Sequence, residues 1–235
     1  MTSQGAADDT TSKPTMRPAV DLRQLVTSPL MSQGARPVCV PFALSHAHEA
    51  AASQANDSAM APEAIWWYAS TRGHVSANGM LLEHAGDALA ISGQPSLTAW
   101  PWNPALGAGT EQPPTDLERP PWQTATLAPL QLAHDGAEDE LEDSLAAGRP
   151  VVLVVEVTDE FDNATAEGLI DVPDIRSPAG DYHAILVVGA INHPGRGRLL
   201  LIRNSWTEYW GAGGYGWLPI DYLIAHAVQA VGVTS

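Results

Sequence analysis

The chain's single cysteine lies in the stretch Gln33–Ala43, which reads QGARPVCVPFA. Apolar residues then recur at spacings of three and four, a pattern typical of one buried face of an α-helix. Pro41 suits a first helical turn, where a missing N–H group costs little. The pattern therefore predicts that Cys39 lies at a helix N-terminus, where free N–H groups and the helix dipole favour a thiolate.

Two later segments bear on the meaning of this cysteine. Gly180–Gly189, GDYHAILVVG, places His183 at the start of an apolar strand, and Leu199–Tyr215 contains the motifs NSW and WGAGGY. Taken alone, Cys39 is more often a small buried hydrophobic residue than a nucleophile. Likewise, His183 alone is more often structural, and Asn204 alone is more often a turn residue.

Taken together and in this order, Gln33, Cys39, His183 and Asn204 resemble the papain-like cysteine peptidases, the C1 family. That family has a Gln, five residues, and then the nucleophilic Cys at a helix start. His-Ala, Asn-Ser-Trp and Trp-Gly-x-x-Gly-Tyr follow far downstream, and the resemblance covers about residues 21–222. The His and Asn are expected roughly 130–150 residues after the Cys. Asn204 lies somewhat beyond this window, which fits a long hairpin between the two motif strands.

The resemblance implies a role for each of the four residues. Cys39 would be the nucleophile, and His183 would hold its thiolate as an ion pair and later protonate the leaving amine. Asn204 would orient the imidazole through its side-chain carbonyl. Gln33 and the Cys39 backbone N–H would form the oxyanion hole. The implied activity is that of a cysteine-type endopeptidase working through a covalent thioester acyl-enzyme.

The resemblance also implies substrate contacts. Gly79 matches a loop glycine that pairs with substrate backbone, although a turn glycine explains it equally well. Ala184 would line the pocket for the second residue before the cut. Trp206 would shield the Asn204–His183 hydrogen bond from water. Trp210 would form the wall of the cleft on the leaving-group side. Small apolar lining, to which Met80 and Leu81 also contribute, favours an apolar or aromatic guest.

Charged residues near these motifs allow preferences for other substrate side chains. Asp181 could instead favour a basic residue at the pocket mouth. Arg36 replaces a cysteine that normally forms a disulfide in the family, and Val40 replaces an aromatic residue. The free guanidinium of Arg36 is expected either to pair with a nearby carboxylate or with an acidic substrate residue, or to be exposed to solvent.

The predicted architecture is α+β, with two papain-like lobes and the cleft between them. Residues 1–20 are predicted to be disordered, and residues 21–235 to form the peptidase domain. About residues 21–125 would form a mainly helical lobe, and about 126–235 a β-rich lobe with a barrel-like antiparallel sheet. Helices are expected after Pro62 and from Met80 to about Ile91, and a buried strand over Val151–Val157.

Composition limits the partners of the chain. It has 11 basic and 27 acidic residues among 235, a formal charge of −16, which disfavours nucleic acid and anionic membranes as partners. The expected partner is a peptide or protein substrate, and the oligomeric state is left open. His46 and His48 lie two apart on a helix and face different directions, so no metal site or other cofactor is predicted.

The single cysteine excludes an intramolecular disulfide and fits a reducing compartment. The composition of the N-terminal residues is not that expected of a signal peptide or a membrane span. We therefore expect a cytoplasmic, bacterial protein, with unconventional export left open.

Two alternatives to hydrolysis remain at this stage. One is a papain-fold module that binds a peptide or a protein without turning it over. The other is an enzyme that transfers the acyl group to an amine instead of water. The complete set of Gln33, Cys39, His183 and Asn204 favours an enzyme, since a pure binding module has no need for all four.

Overall fold

A computed structural model describes residues 17–52, 59–107, 109–132, 137–173 and 181–235. Most of the predicted disordered segment, residues 1–20, and Gly180 of the second motif lie outside these ranges. Residues 17–20 lie inside them, and Val20 pairs with Ala190 in the sheet. The described fold therefore begins before the predicted domain boundary at Asp21.

Three helices form the N-terminal half of the fold: α1 Cys39–Ala52, α2 Pro62–Ser70 and α3 Leu82–Ile91. Helix α1 begins at Cys39 and α2 begins with its proline, both as predicted. Helix α3 begins two residues later than expected, because Leu81 has an extended backbone (φ −74°, ψ 147°) and serves as the N-cap residue. Nearly all of α1 is buried, so its surroundings fix the direction of its first turn.

The C-terminal half is built on one antiparallel sheet of seven described strands. The strand order is β2-β7-β3-β4-β5-β6, with β1 pairing on β4, and this path does not close on itself among the described strands. The strands are β1 Val20–Asp21, β2 Thr126–Leu130, β3 Val151–Glu156, β4 Tyr182–His193, β5 Gly197–Arg203, β6 Tyr215–Pro219 and β7 Ala227–Thr234. Three further helices accompany them: α4 Ala137–Ala146, α5 Asp159–Asp162 and α6 Ile220–His226.

The sheet is packed on both faces, and β4 shows how. Ala184, Leu186 and Val188 join one core cluster with α1, α2 and α3. Ile185 and Val187 join a second cluster with α4 and α6. Because successive strand residues point to opposite faces, the side chains of β4 alternate between the face packed on α1 and the face packed on the second cluster. The predicted α+β class, with a helical first half and an antiparallel second half, is confirmed.

Candidate active site

A cavity of about 530 Å³ lies where the start of α1 meets β4. Of the eight residues predicted for the site, four line it, namely Cys39, Gly79, His183 and Ala184. Met80 and Leu81, expected in the specificity pocket, line it as well. The remaining four are not among the lining residues. Asn204 and Trp206 contact His183, whereas Gln33 and Trp210 contact residues behind the cavity wall.

Cys39 is the first residue of α1 and is half-buried. Burial raises the pKa of the Cys39 thiol, while backbone hydrogen bonds from Ala184, Val40 and Cys39 itself act in the opposite direction. The helix start thus supplies the thiolate-favouring N–H groups that the sequence predicts. The net shift of the thiol pKa is nevertheless upward, because loss of solvent outweighs these hydrogen bonds.

His183 is buried near the start of β4, and its Nε2 lies 2.7 Å from Asn204 Oδ1. The same Oδ1 accepts the Ser205 backbone N–H at 2.7 Å, which identifies this atom of Asn204 as the oxygen. Nε2 therefore donates to Asn204, and the lone pair of a neutral imidazole is left at Nδ1. Burial lowers the pKa of His183 to about 4, against the opposing effect of the Asn204 hydrogen bond.

Aromatic rings hold His183 on its buried side. The Trp206 ring lies 4.6 Å from the imidazole, centroid to centroid, as expected for a residue that shields the Asn204 contact. The fully buried Phe161 meets His183 edge-on at 6.0 Å. Trp210 differs from its predicted place on the cleft wall. It is buried in the second core cluster and donates its indole N–H to the Phe161 carbonyl at 3.1 Å, so it supports the other rings.

Gln33 is held by both ends of its side-chain amide. Its Nε2 donates to the Arg36 carbonyl at 2.9 Å, and its Oε1 accepts from Ser205 Oγ at 2.6 Å. Its backbone N–H also donates to the Ser205 carbonyl at 2.8 Å. An amide nitrogen carries two hydrogens, so one N–H of Gln33 remains to donate. The fixed amide has the donor that an oxyanion hole requires.

Ser205 therefore connects two site residues, and sequence reasoning missed it. Its backbone N–H donates to Asn204, and its hydroxyl donates to Gln33. Its position in the Asn-Ser-Trp motif was the available signal. Phe161 was missed as well, because it lies in a stretch that reads as loop and carries no motif.

Arg36 is wholly buried and pairs with Glu63 of α2 through two hydrogen bonds, at 2.6 and 3.0 Å. Its guanidinium also donates to the Gly109 carbonyl at 2.9 Å and stacks 4.5 Å from the Trp102 ring. Of the expected surroundings for Arg36, pairing with a nearby carboxylate is the one observed. Arg36 thereby ties the loop that carries Gln33 and Cys39 to the next helix.

Gly79 has a φ of +105°, a backbone conformation that side chains rarely adopt. A Cβ atom there would lie only 3.1 Å from the Pro37 carbonyl oxygen. The glycine thus lets the 76–79 turn approach the segment before Cys39 and keeps the cavity open at this edge. His74 and His84 also line the cavity, and nothing in the sequence marked them.

The described residues also bear on metals and membranes. Within the described ranges, no group of three or more His, Cys, Asp and Glu side chains is placed to hold a metal ion. No helix in that part of the chain combines the length and the apolar character that a membrane span requires.

Known structures share this fold. Xylellain, a cysteine protease from Xylella fastidiosa, aligns with a TM-score of 0.73 at 22% identity, covering 94% of this chain and 87% of that one. Digestive procathepsin L 3 of the Tenebrio molitor larval midgut aligns with 0.75 at 20% identity, covering 95% and 72%. The Carica candamarcensis cysteine protease CMS1MS2, in complex with E-64, aligns with 0.73 at 20% identity, covering 94% and 99%. At these identities the likeness shows the fold.

Sequence comparison gives the family. A cathepsin L-like proteinase of Fasciola hepatica is 34% identical over 82 residues, 35% of this chain and 24% of that protein. The match thus spans about a quarter of that relative's length. The model of the papain family of cysteine proteases matches residues 109–231, which include His183 and Asn204, while Gln33 and Cys39 precede the match. Because this match extends over more than half of the sequence, the chain belongs to the papain family of cysteine proteases.

Proposed function

We propose that this chain is a cysteine endopeptidase in which Cys39 attacks the scissile carbonyl and His183 carries the proton. The observation that carries the proposal is that one cavity is lined by both Cys39 and His183, with His183 Nε2 held by Asn204. That hydrogen bond leaves Nδ1 as the free basic atom of the ring. Family membership adds that the substrate is a peptide or a protein.

The first half of the reaction forms a thioester. Cys39 Sγ bonds to the carbonyl carbon, and the thiol proton passes to Nδ1 of His183. The Gln33 amide N–H and the Cys39 backbone N–H stabilise the tetrahedral oxyanion. The C–N bond then breaks, and the leaving amine takes the proton from His183. Asn204 keeps the imidazole oriented throughout.

The second half consumes one water molecule. Water attacks the thioester carbon and gives a proton to His183, which produces a second tetrahedral oxyanion at the same two donors. The C–S bond breaks, the sulfur recovers the proton from His183, and the carboxylic acid product leaves. Cys39 and His183 therefore share one proton at the start and at the end of each cycle.

The directions of the two pKa shifts agree with one proton shared between Cys39 and His183. Burial favours the neutral thiol of Cys39 and the neutral imidazole of His183, which argues against the resting ion pair that the resemblance implies. Any charge appears during attack, where the Ala184 N–H and the oxyanion donors can stabilise it. The raised thiol pKa also keeps this proton available at alkaline pH.

The proposal extends to the compartment. Cys39 is free, and the loop before it is fixed by the Arg36–Glu63 ion pair, which a reducing environment does not affect. We therefore propose that the protein works where thiols stay reduced, in the cytoplasm of a bacterium. The fraction of protein in each cell compartment measures this directly.

A peptidyl thiol-directed label, read by mass spectrometry of the intact protein, tests the assignment. We expect one label on the parent, none on Cys39→Ala, and slow labelling of His183→Ala. His193→Ala is a matched histidine control, since His193 lies at the distant end of β4. Labelling of Cys39→Ala at the parent rate would contradict the proposal.

Product analysis then separates the remaining alternatives. Hydrolysis of a peptide gives a new carboxylic acid, whereas acyl transfer to an added amine gives a new amide. A protein that binds peptides but leaves all of them intact would be a binding module. We expect the new carboxylic acid, with its yield abolished in Cys39→Ala.

A further inference from the structure

A pair of stacked histidines lines the same cavity as Cys39. His74 follows α2 and His84 lies in the first turn of α3, and their ring centroids are 4.0 Å apart with 18° between the ring planes. Both line the cavity together with Cys39 and His183. The pair is therefore a polar feature inside a pocket whose other walls are mostly apolar.

The described wall of this cavity has no acidic, lysine or arginine side chain. A lysine or arginine guest would enter without a counter-charge from the residues of this wall, and burying an unpaired charge is costly. A carboxylate guest would meet no like charge there, and imidazole N–H groups can donate to it.

The surroundings of the pair leave room for a ligand. His84 Nδ1 is buried and makes no hydrogen bond within the described part of the chain. Glu83 approaches His84 Nε2 only to 3.8 Å, and its side chain is 73% exposed. The other titratable groups that line the cavity are Cys39, Tyr182 and His183. The N-terminus of α3, which begins at Leu82 on the same wall, adds N–H groups that favour negative charge.

We propose that His74 and His84 select substrates with an acidic side chain, Asp or Glu, at the residue that enters this cavity. The inference rests on the proposed function and names its substrate class. It differs from the apolar guest expected from Ala184 and Met80, because the two histidines add N–H donors to the same cavity wall. It also differs from the basic guest expected from Asp181, which does not line the cavity.

Isosteric peptides give the sharpest test. Two fluorogenic peptides differ only by Glu or Gln at the second residue before the cut, so size is constant and charge alone changes. We expect kcat/KM to be at least about tenfold higher for Glu, because hydrogen bonds to a charged group are the stronger ones. In His74→Phe/His84→Phe, which keeps two flat rings and removes all four ring nitrogens, the ratio should fall to one or below.

Controls separate this inference from the proposed function. His193→Phe, distant from the cavity, should keep the parent ratio. If the double Phe variant fails to fold by circular dichroism, His74→Gln and His84→Gln replace it, each expected to reduce the ratio. Cleavage of the Gln peptide with no preference for Glu in the parent would overturn the inference and leave the peptidase intact. Absence of any cleavage would instead contradict the proposed function.

Discussion

The two sides of the cleft are stabilised by different kinds of interaction. On the α1 side, a buried ion pair between Arg36 and Glu63 fixes the loop that carries Gln33 and Cys39. On the β4 side, His183 rests on a group of aromatic rings centred on Phe161. Removing one partner of a buried ion pair is strongly destabilising, because the other charge stays buried without a counter-charge. Replacing a packed ring by a smaller apolar side chain costs less, because part of the packing is kept. We expect substitutions on the two sides to differ accordingly.

The largest expected effect is on the ion-pair side. Glu63→Gln leaves the Arg36 guanidinium buried without a counter-charge, which costs about 3–5 kcal/mol of the free energy of unfolding. Chemical denaturation measures it, and Asp21→Asn is the matched control. Asp21 pairs with Arg23 at 2.6 Å but on the surface, where a pair contributes about 0–1 kcal/mol.

A double variant then tests the physical reason. Arg36→Met/Glu63→Leu removes both charges and keeps an apolar filling, so it should recover most of the stability lost in Glu63→Gln. A double variant as unstable as the single one would show that packing around Trp102, and not charge, fixes this loop.

The aromatic side should respond less steeply. Phe161→Leu keeps an apolar side chain and should cost about 2 kcal/mol, below the 3–5 kcal/mol typical of Phe→Ala in a core. Because Trp206 also packs on His183, kcat should fall only a fewfold in this variant. A loss of stability equal to that of Glu63→Gln, in parallel denaturation curves, would remove the proposed contrast between the two sides.

The two sides also differ in the direction of their pKa shifts, which predicts the pH profile. Turnover needs one proton on the pair, so protonation of His183 should reduce kcat/KM below pH 4, by about tenfold, or 1.4 kcal/mol, per pH unit. Loss of the thiol proton should reduce it only at alkaline pH, above the ordinary thiol range, because burial raises the pKa of Cys39. Initial rates across pH 3–10 measure both limbs, and an acid limb near pH 6.5 would contradict the buried neutral imidazole.

The smallest expected effect lies at the junction of the two sides. Ser205→Ala removes the hydroxyl that holds Gln33 Oε1, a hydrogen bond worth about 1 kcal/mol, so kcat should fall roughly fivefold. The hydrogen bond to Asn204 Oδ1 comes from the Ser205 backbone N–H, which the substitution leaves in place. Labelling of Cys39 should therefore keep its parent rate. Ser32→Ala is the matched serine control, since the Ser32 hydroxyl accepts the local Gly34 N–H.

Much of this fold follows from local pattern. The periodicity after Cys39 predicts α1, the apolar run predicts the buried strand β3, and the paired motifs predict the β4–β5 hairpin. Each of these signals lies within one element, where residue spacing sets burial. The motifs likewise name Cys39, His183 and Asn204, which the structure brings around one cavity.

The contacts that could not be predicted join residues distant in sequence. Nothing in the sequence indicates that Arg36 faces Glu63, or that His74 stacks on His84. The placement of Trp210 was missed for the same reason, since a tryptophan suits a cleft wall and a core equally well. Only the fold decides which partner a side chain meets.

The position of β7 has a consequence for the timing of activity during synthesis. Although it is translated last among the described strands, β7 lies between β2 and β3 in the sheet, and its Val228 and Gln229 line the cavity. A nascent chain that still lacks β7 has Cys39 and His183 but neither a complete sheet nor a closed pocket wall. The order of translation therefore leaves this wall of the cavity incomplete until the last of the described strands has paired.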